Sequence, residues 1–204
     1  MKNEHFIGEF TESVSQETCK GLIELFNTAH KRKLTTVGKN TLGVDKKKKD
    51  SVDLPDSMIP DNLKKKYADV IEEYLESLMT CYNQYVERYP ILNKSWPHGV
   101  FNYQLQRYYP GGQAYHAWHY ESTTPKSSDR ILAWMTYLNT VEEGGETEFQ
   151  YYDLKIKPEM AKTLIWPAGF THVHRGLPSK SDVKFIITNW FRFAPESMVN
   201  KASK

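Results

Sequence analysis

The chain has 204 residues, of which 39% are hydrophobic and 25% charged, and its net charge is +2. That length fits one domain with a sizeable core, and no run of about 18 apolar residues offers a membrane span. Only two cysteines, Cys19 and Cys81, argue against a disulfide scaffold, and 13% aromatic residues argue against a disordered chain.

The opening MKNEHFIGEF has no apolar signal core, so a cytoplasmic, reduced protein is expected. Residues 6–10 alternate enough for a short strand. In SVSQETCKGLIELFNTAHKRK, Ser13 or Ser15 can cap a helix whose apolar stripe is Leu22, Ile23, Leu25 and Phe26, with basic residues in its last turn. Residues 31–50 then carry eight Lys or Arg against two Asp, a local +6 that leaves the remainder near −4. Lys46 to Lys49 read as a solvated loop, or as a flexible basic flap facing an acidic partner. No aromatic residues interleave with these lysines, so nucleic acid is not an expected partner. Pro60-Asp61-Asn62 opens a second helix through about Tyr85. Its stripe of Leu63, Tyr67, Val70, Ile71, Tyr74, Leu75, Leu78 and Met79 packs on a sheet as core.

The pattern changes at about Gly99. Segments 100–109, 131–139, 147–156, 162–166, 171–175 and 183–193 are rich in Val, Ile, Thr, Tyr, Phe and Trp, and Gly/Pro turns separate them. Helices first and short strands later predict an α+β, mainly β domain of sandwich or barrel type. One domain over 1–204 is expected. Residues 1–98 form a mostly helical support with a basic loop at 31–52, and 99–193 form the β core.

Two of the clusters among the seven histidines carry the chemistry. The first is Tyr115-His116-Ala117-Trp118-His119-Tyr120-Glu121. On an extended chain, positions two apart face the same side, so His119 and Glu121 can share one ion. His116, three residues earlier, falls on the other face and reads as structural or substrate-side. The second cluster, Thr171-His172-Val173-His174-Arg175, offers a third ligand. Two His and one carboxylate, with open positions, suit non-haem Fe(II). Lys184 opens the apolar run 183–193, where a lysine packs poorly unless it meets an anion such as a dicarboxylate.

From about 100 to 193 the chain resembles the prolyl 4-hydroxylase-like branch of the Fe(II)/2-oxoglutarate-dependent dioxygenases. The matching stretches are Tyr109-Pro110-Gly111 before His119-x-Glu121, then Tyr137-Leu138-Asn139, Gly144-Gly145-Glu146-Thr147-x-Phe149 and Trp166-Pro167. Last comes His174, followed ten residues later by Lys184. The resemblance implies a double-stranded β-helix (jelly-roll) core backed by the N-terminal helices. It implies His119, Glu121 and His174 as Fe(II) ligands. It implies Lys184 on the distal carboxylate of 2-oxoglutarate, helped by the Tyr137 hydroxyl, with Tyr109 near the co-substrate.

His172 shares the parity of His174. The spacing to Lys184 favours His174 as the ligand and leaves His172 as a pocket residue. On the last strand Lys184, Ile186, Thr188, Trp190 and Arg192 share a face; the resemblance implies Trp190 as a pocket aromatic, and Arg192 is a rival anion partner. Tyr103 and Trp118 are further pocket candidates. The family's usual carboxylate ligand is Asp, whereas here it is Glu121. The extra methylene requires a strand set further back, or binding through the outer oxygen. Any carboxylate here argues against the halogenating relatives, which leave that position open.

The resemblance further implies hydroxylation of a prolyl residue in a peptide or protein. O₂ is consumed, and 2-oxoglutarate is converted to succinate and CO₂. Fe(II) and 2-oxoglutarate are the cofactors, and the resemblance also admits ascorbate. The Gly- and Lys-containing segment 36–52 is a candidate substrate loop. The alternatives are the same chemistry on another side chain or a small molecule, a cupin-like metal-binding module, or an interaction domain with incidental histidines. A cupin-like module has no need for an inward Lys184 with Tyr137 beside it. The two isolated helical cysteines read as inert.

Overall fold

The computed structural model describes residues 1–39 and 43–202. After a hairpin of β1 (Lys2–Glu4) and β2 (Ile7–Phe10) comes α1 (Gln16–Lys31). Ser15 caps α1, its Oγ accepting from the Thr18 amide at 3.0 Å. Ser13 instead bonds the Ala161 carbonyl and the Thr163 hydroxyl. Short strands β3 (Thr36–Val37) and β4 (Val52–Pro55) follow, then α2 (Asp61–Lys66), α3 (Ala68–Arg88) and β5 (His98–Gly99). The remaining strands are β6 (Gln104–Tyr108), β7 (Arg130–Tyr137), β8 (Thr147–Phe149), β9 (Leu154–Ile156), β10 (Thr163–Pro167), β11 (His174–Gly176) and β12 (Lys184–Phe193). A terminal helix α4 spans Glu196–Ala202.

The strands form two antiparallel sheets, the jelly-roll arrangement. The larger runs β1-β2-β10-β7-β12-β6-β4-β3, with β5 on β12, and the smaller runs β11-β8-β9. Strand alternation sorts the core into two layers. On β7, Leu132 and Trp134 face the helices, where they join Leu22, Leu25 and Phe26 of α1 and Tyr74, Leu78, Cys81 and Tyr85 of α3. Ala133, Met135 and Tyr137 face the smaller sheet and meet Phe149, Ile156, Leu164, Trp166 and Ile186. Each fully buried Leu or Phe contributes about 1.5–3 kcal/mol. Buried hydroxyls stitch the first layer together: Tyr74 to Thr136 at 2.9 Å, and Thr136 to Thr163 at 2.6 Å. Among the described residues no helix is long and apolar enough to cross a membrane.

Four expectations are corrected. The helix expected from Pro60 to Tyr85 is two helices broken at Tyr67, where φ is −110° and ψ 20°. There the Tyr67 hydroxyl donates to Glu24 of α1 at 2.8 Å. Segment 147–156 is a hairpin turning at Asp153, with φ of 47°. Residues 170–172 form a 3-10 turn, so β11 starts only at His174 and the parity argument for His172 does not apply.

Nor is the 46–49 stretch uniformly solvated. Lys49 is 3% exposed and its Nζ lies 2.7 Å from Asp53, whose other oxygen accepts from Ser51 at 2.7 Å. The backbone of 48–50 pairs with 114–117: the Asp50 amide donates to Ala114 at 2.9 Å, and the Ala117 amide to Lys48 at 3.1 Å. The second part of the 36–52 loop is therefore a fixed wall. Residues 40–42 of that loop lie outside the described residues.

Candidate active site

The first histidine cluster belongs to no sheet; isolated bridges of Tyr115 with Lys49 and of His119 with His174 set its register. The His119 amide donates to the His174 carbonyl at 3.0 Å, and the His174 amide to the His119 carbonyl at 2.9 Å. That reciprocal pair sets the two imidazoles side by side, with ring centroids 4.3 Å apart. Each ring is oriented from behind. Nδ1 of His119 lies 3.0 Å from the Ala117 carbonyl, and Nδ1 of His174 lies 2.9 Å from the His172 carbonyl. A carbonyl partner requires an Nδ1–H, so both Nε2 lone pairs are free.

Both Nε2 atoms turn toward Glu121, whose Oε1 is 3.8 Å from His119 and 3.4 Å from His174. The Glu121 amide donates to Ala168 at 3.1 Å, tying this segment to the end of β10. One donor atom from each residue lies within 4.8 Å of the others. Burial, and then the charge of His174, push the His119 imidazole down to about 3. Burial also pushes Glu121 up, but the neighbouring His174 and His119 and the hydrogen bond from Trp190 outweigh it and leave the carboxyl at about 2. Neutral imidazole and ionised carboxylate are the ligand forms of these side chains. Two nitrogen lone pairs and one anionic oxygen, converging in a buried spot, fit a divalent ion such as Fe(II). Tyr115 stacks on His119 at 3.6 Å, while Trp166 stands edge-on to His174 at 5.0 Å.

The three donors open on a cavity of about 470 Å³, which Lys184, Tyr108, Thr147, Met135, Ile186 and Trp190 help to line. Lys184 is 4% exposed. Its ammonium donates to the Gly145 carbonyl at 2.9 Å and lies 4.9 Å from the centre of the Tyr108 ring. Among the described residues no carboxylate forms an ion pair with it. Burial pushes Lys184 down to about 8, against the opposing charge of Glu146. A buried ammonium with one neutral acceptor is a receptor for an anion.

The other sequence-expected residues fall as follows. Trp190 lines the cavity, and its indole N–H donates to Glu121 Oε2 at 2.7 Å. Tyr137 stands behind the wall: its hydroxyl bonds Thr147 Oγ1 at 2.6 Å, and it is Thr147 that lines the cavity. Burial raises the Tyr137 phenol. Tyr109, expected near the co-substrate, does not line the cavity, whereas Tyr108 does. The strand β6 ends at Tyr108, which pairs in register with Lys184, whereas Tyr109 is 46% exposed under the Arg107 guanidinium.

Four pocket candidates are not in the cavity wall. Tyr103 is buried on the helix side, its carbonyl accepting from the Asp56 amide. Trp118 stacks under Arg175 at 4.3 Å. His172 Nε2 meets the His5 carbonyl at 2.8 Å. Arg192 pairs with Asp129 at 2.7 Å, because the register of β12 slips between Phe191 and Arg192 and ends the shared face. Sequence reasoning missed Tyr108, Tyr115, Thr147, Arg130 and Lys49 as wall residues. Strand parity with Lys184 could have found Tyr108. Nothing local marks Lys49.

The profile of the 2OG-Fe(II) oxygenase superfamily matches residues 103–192. Among relatives from Arabidopsis thaliana, the probable prolyl 4-hydroxylase 9 is 33% identical over 90 residues, which is 33% of this chain and 31% of the relative. Prolyl 4-hydroxylase 13 is 30% identical over 115 residues, 46% of this chain and 41% of the relative. The matched stretch thus spans less than half the length of these relatives. Among solved structures, the viral collagen prolyl hydroxylase of Paramecium Bursaria Chlorella virus-1 superposes with a TM-score of 0.66 at 23% identity, covering 93% of this chain and 97% of that one. A Pseudomonas putida prolyl-4-hydroxylase gives 0.70 at 15% identity, covering 92% and 93%. A Trichoplax adhaerens prolyl hydroxylase in complex with a peptide fragment gives 0.67 at 12% identity, covering 97% and 87%. At these identities the structural likeness is one of fold. The family profile, the relatives and the shared fold agree in what they liken this chain to: the prolyl 4-hydroxylase-like 2OG-Fe(II) oxygenases, across 90 of its 204 residues by profile.

Proposed function

We propose that this chain is an Fe(II)- and 2-oxoglutarate-dependent hydroxylase acting on prolyl residues of a peptide or protein. The observation that carries the reading is the convergence of His119 Nε2, Glu121 Oε1 and His174 Nε2 in one cavity with the buried Lys184 ammonium. When bound, iron and 2-oxoglutarate supply oxygen activation and insertion of one oxygen atom into a substrate C–H bond, with succinate and CO₂ as co-products.

The chain's own residues do the rest. His119, Glu121 and His174 would hold the metal at the wall of the cavity. Lys184 pairs with the distal carboxylate of the co-substrate, and the Tyr108 ring and Thr147 hydroxyl flank it. Met135, Ile186 and Trp166 give the cavity apolar lining, and a low-polarity surround strengthens the ion pair. All 204 residues act as one catalytic domain, with residues 1–98 bracing 99–193.

The prolyl substrate is supported by the names of the relatives and neighbours, each a prolyl hydroxylase. Charge at the cavity narrows it. Lys39, Lys126, Arg130 and Arg175 line the cavity, while Glu121 is the one acidic residue among the described lining. Acidic residues flanking the target proline would meet these cations. The test has two stages. Anaerobic Fe(II) with 2-oxoglutarate is expected to give a visible charge-transfer band that His119→Ala abolishes. Proline peptides with acidic or basic flanks are then assayed for succinate release and a one-oxygen mass gain. Absence of the band overturns the oxygenase reading. A band with turnover only on proline-free compounds overturns the prolyl reading.

A further inference from the structure

Glu121 is one methylene longer than the aspartate usual in this branch, and a longer carboxylate has more ways to meet a metal. The structure constrains it on one side only. Oε1 faces the two Nε2 atoms at 3.4 and 3.8 Å. Oε2 accepts the Trp190 indole N–H at 2.7 Å. Behind Trp190 lies Arg130, its guanidinium carbon 3.4 Å from the centre of the indole ring. The same Arg130 donates to the Glu121 main-chain carbonyl at 2.9 Å and stands 3.7 Å from Oε2. One guanidinium thus fixes the main chain of Glu121 and the ring that holds its side chain.

We propose that Trp190 and Arg130 are positioning residues that make Glu121 a one-oxygen ligand. With Oε2 tied to the indole, only Oε1 reaches the metal, and the coordination position a second oxygen would fill stays free for co-substrate and O₂. The inference rests on the metal site described above. It accounts for the longer acid without moving the segment away from the ion: the extra reach is absorbed by the indole contact.

The test is an anaerobic Co(II) titration of the full chain, read in the visible region without turnover. Trp190→Phe keeps the ring and removes the N–H. It is expected to weaken Co(II) binding by about tenfold or more, and to change the cobalt band as Oε2 becomes free to coordinate. Glu121→Asp is expected to cost less in the Trp190→Phe background than in the wild-type background, because the clamp fitted to Glu is already gone. A second readout needs no folded Trp190 variant: with ¹⁵N-labelled indoles, Glu121→Ala is expected to move one of the five tryptophan N–H signals upfield. Wild-type affinity and an unchanged band in Trp190→Phe overturn the clamp alone, as does an indole spectrum indifferent to Glu121→Ala. Failure of the wild-type chain to take Co(II) overturns the metal reading beneath it.

Discussion

Lys184→Met separates two roles that usually coincide, folding and ligand binding. In the free protein the ammonium is buried against one carbonyl, and burial holds it down at about 8, from an ordinary value of 10.5. A depression of that size corresponds to about 3 kcal/mol of desolvation carried by the folded state. Methionine has similar length and no charge. Losing the charged hydrogen bond to Gly145 costs about 2 kcal/mol, so the variant is expected to be more stable than wild type by about 1 kcal/mol at pH 7. The sign reverses with ligand. Removing the cation from a buried ion pair with 2-oxoglutarate costs about 2–3 kcal/mol, roughly a 30- to 150-fold loss of affinity. Urea denaturation gives the first number, and an anaerobic titration of the Fe(II) protein gives the second.

The pH dependence follows from the same group. Its folded value lies below its unfolded one, so the penalty is fully present below pH 8 and fades as pH rises from 8 to 10.5. The stability gap between Lys184→Met and wild type should therefore close over that window. Wild-type affinity for 2-oxoglutarate should fall above pH 8, while the variant stays flat. A destabilised variant with unchanged affinity would refute the idea of an ammonium held ready for an anion.

Three more predictions are independent of this one. Arg192→Ala is expected to leave 2-oxoglutarate affinity within about twofold, since Arg192 is engaged with Asp129; a loss as large as that of Lys184→Met would move the anion site to Arg192. Asp53→Ala strands the buried Lys49 ammonium and is expected to cost about 3–5 kcal/mol in urea denaturation. A cost below about 1 kcal/mol would show that Lys49 escapes to solvent. Leu25→Ala opens a cavity between α1 and the sheet, with an expected loss of about 2–5 kcal/mol by thermal unfolding, and a negligible loss would mean that the helical layer collapses onto the gap.

Much of this architecture is legible in the chain itself, and the parts that are not share a physical cause. Period and turn chemistry are local, so the amphipathic stripe of α1, its Ser15 cap and the Val/Ile/Thr-rich strands β7, β10 and β12 could be read directly. The inward face of β12 from Lys184 to Trp190 follows from alternation by two, as does the shared side of His119 and Glu121 on an extended chain. Parity holds only while regular structure lasts. It fails for His172, which sits in a 3-10 turn, and for Arg192, which lies beyond a slip in register. A one-residue offset likewise separates Tyr108 from the expected Tyr109.

Long-range pairing decided the rest. Lys49 looks like any member of a basic run, and only the partner Asp53 and the backbone of 114–117 make it a buried wall residue. The sequence alone determined which residue types were present for two imidazoles, one acid and one ammonium, and their order. Tertiary structure alone decided that His119 and His174 are joined by reciprocal amide bonds, that Trp190 takes one oxygen of Glu121, and that Lys184 is buried. Each of those facts depends on burial and on contacts between residues far apart in the chain, which no local pattern encodes.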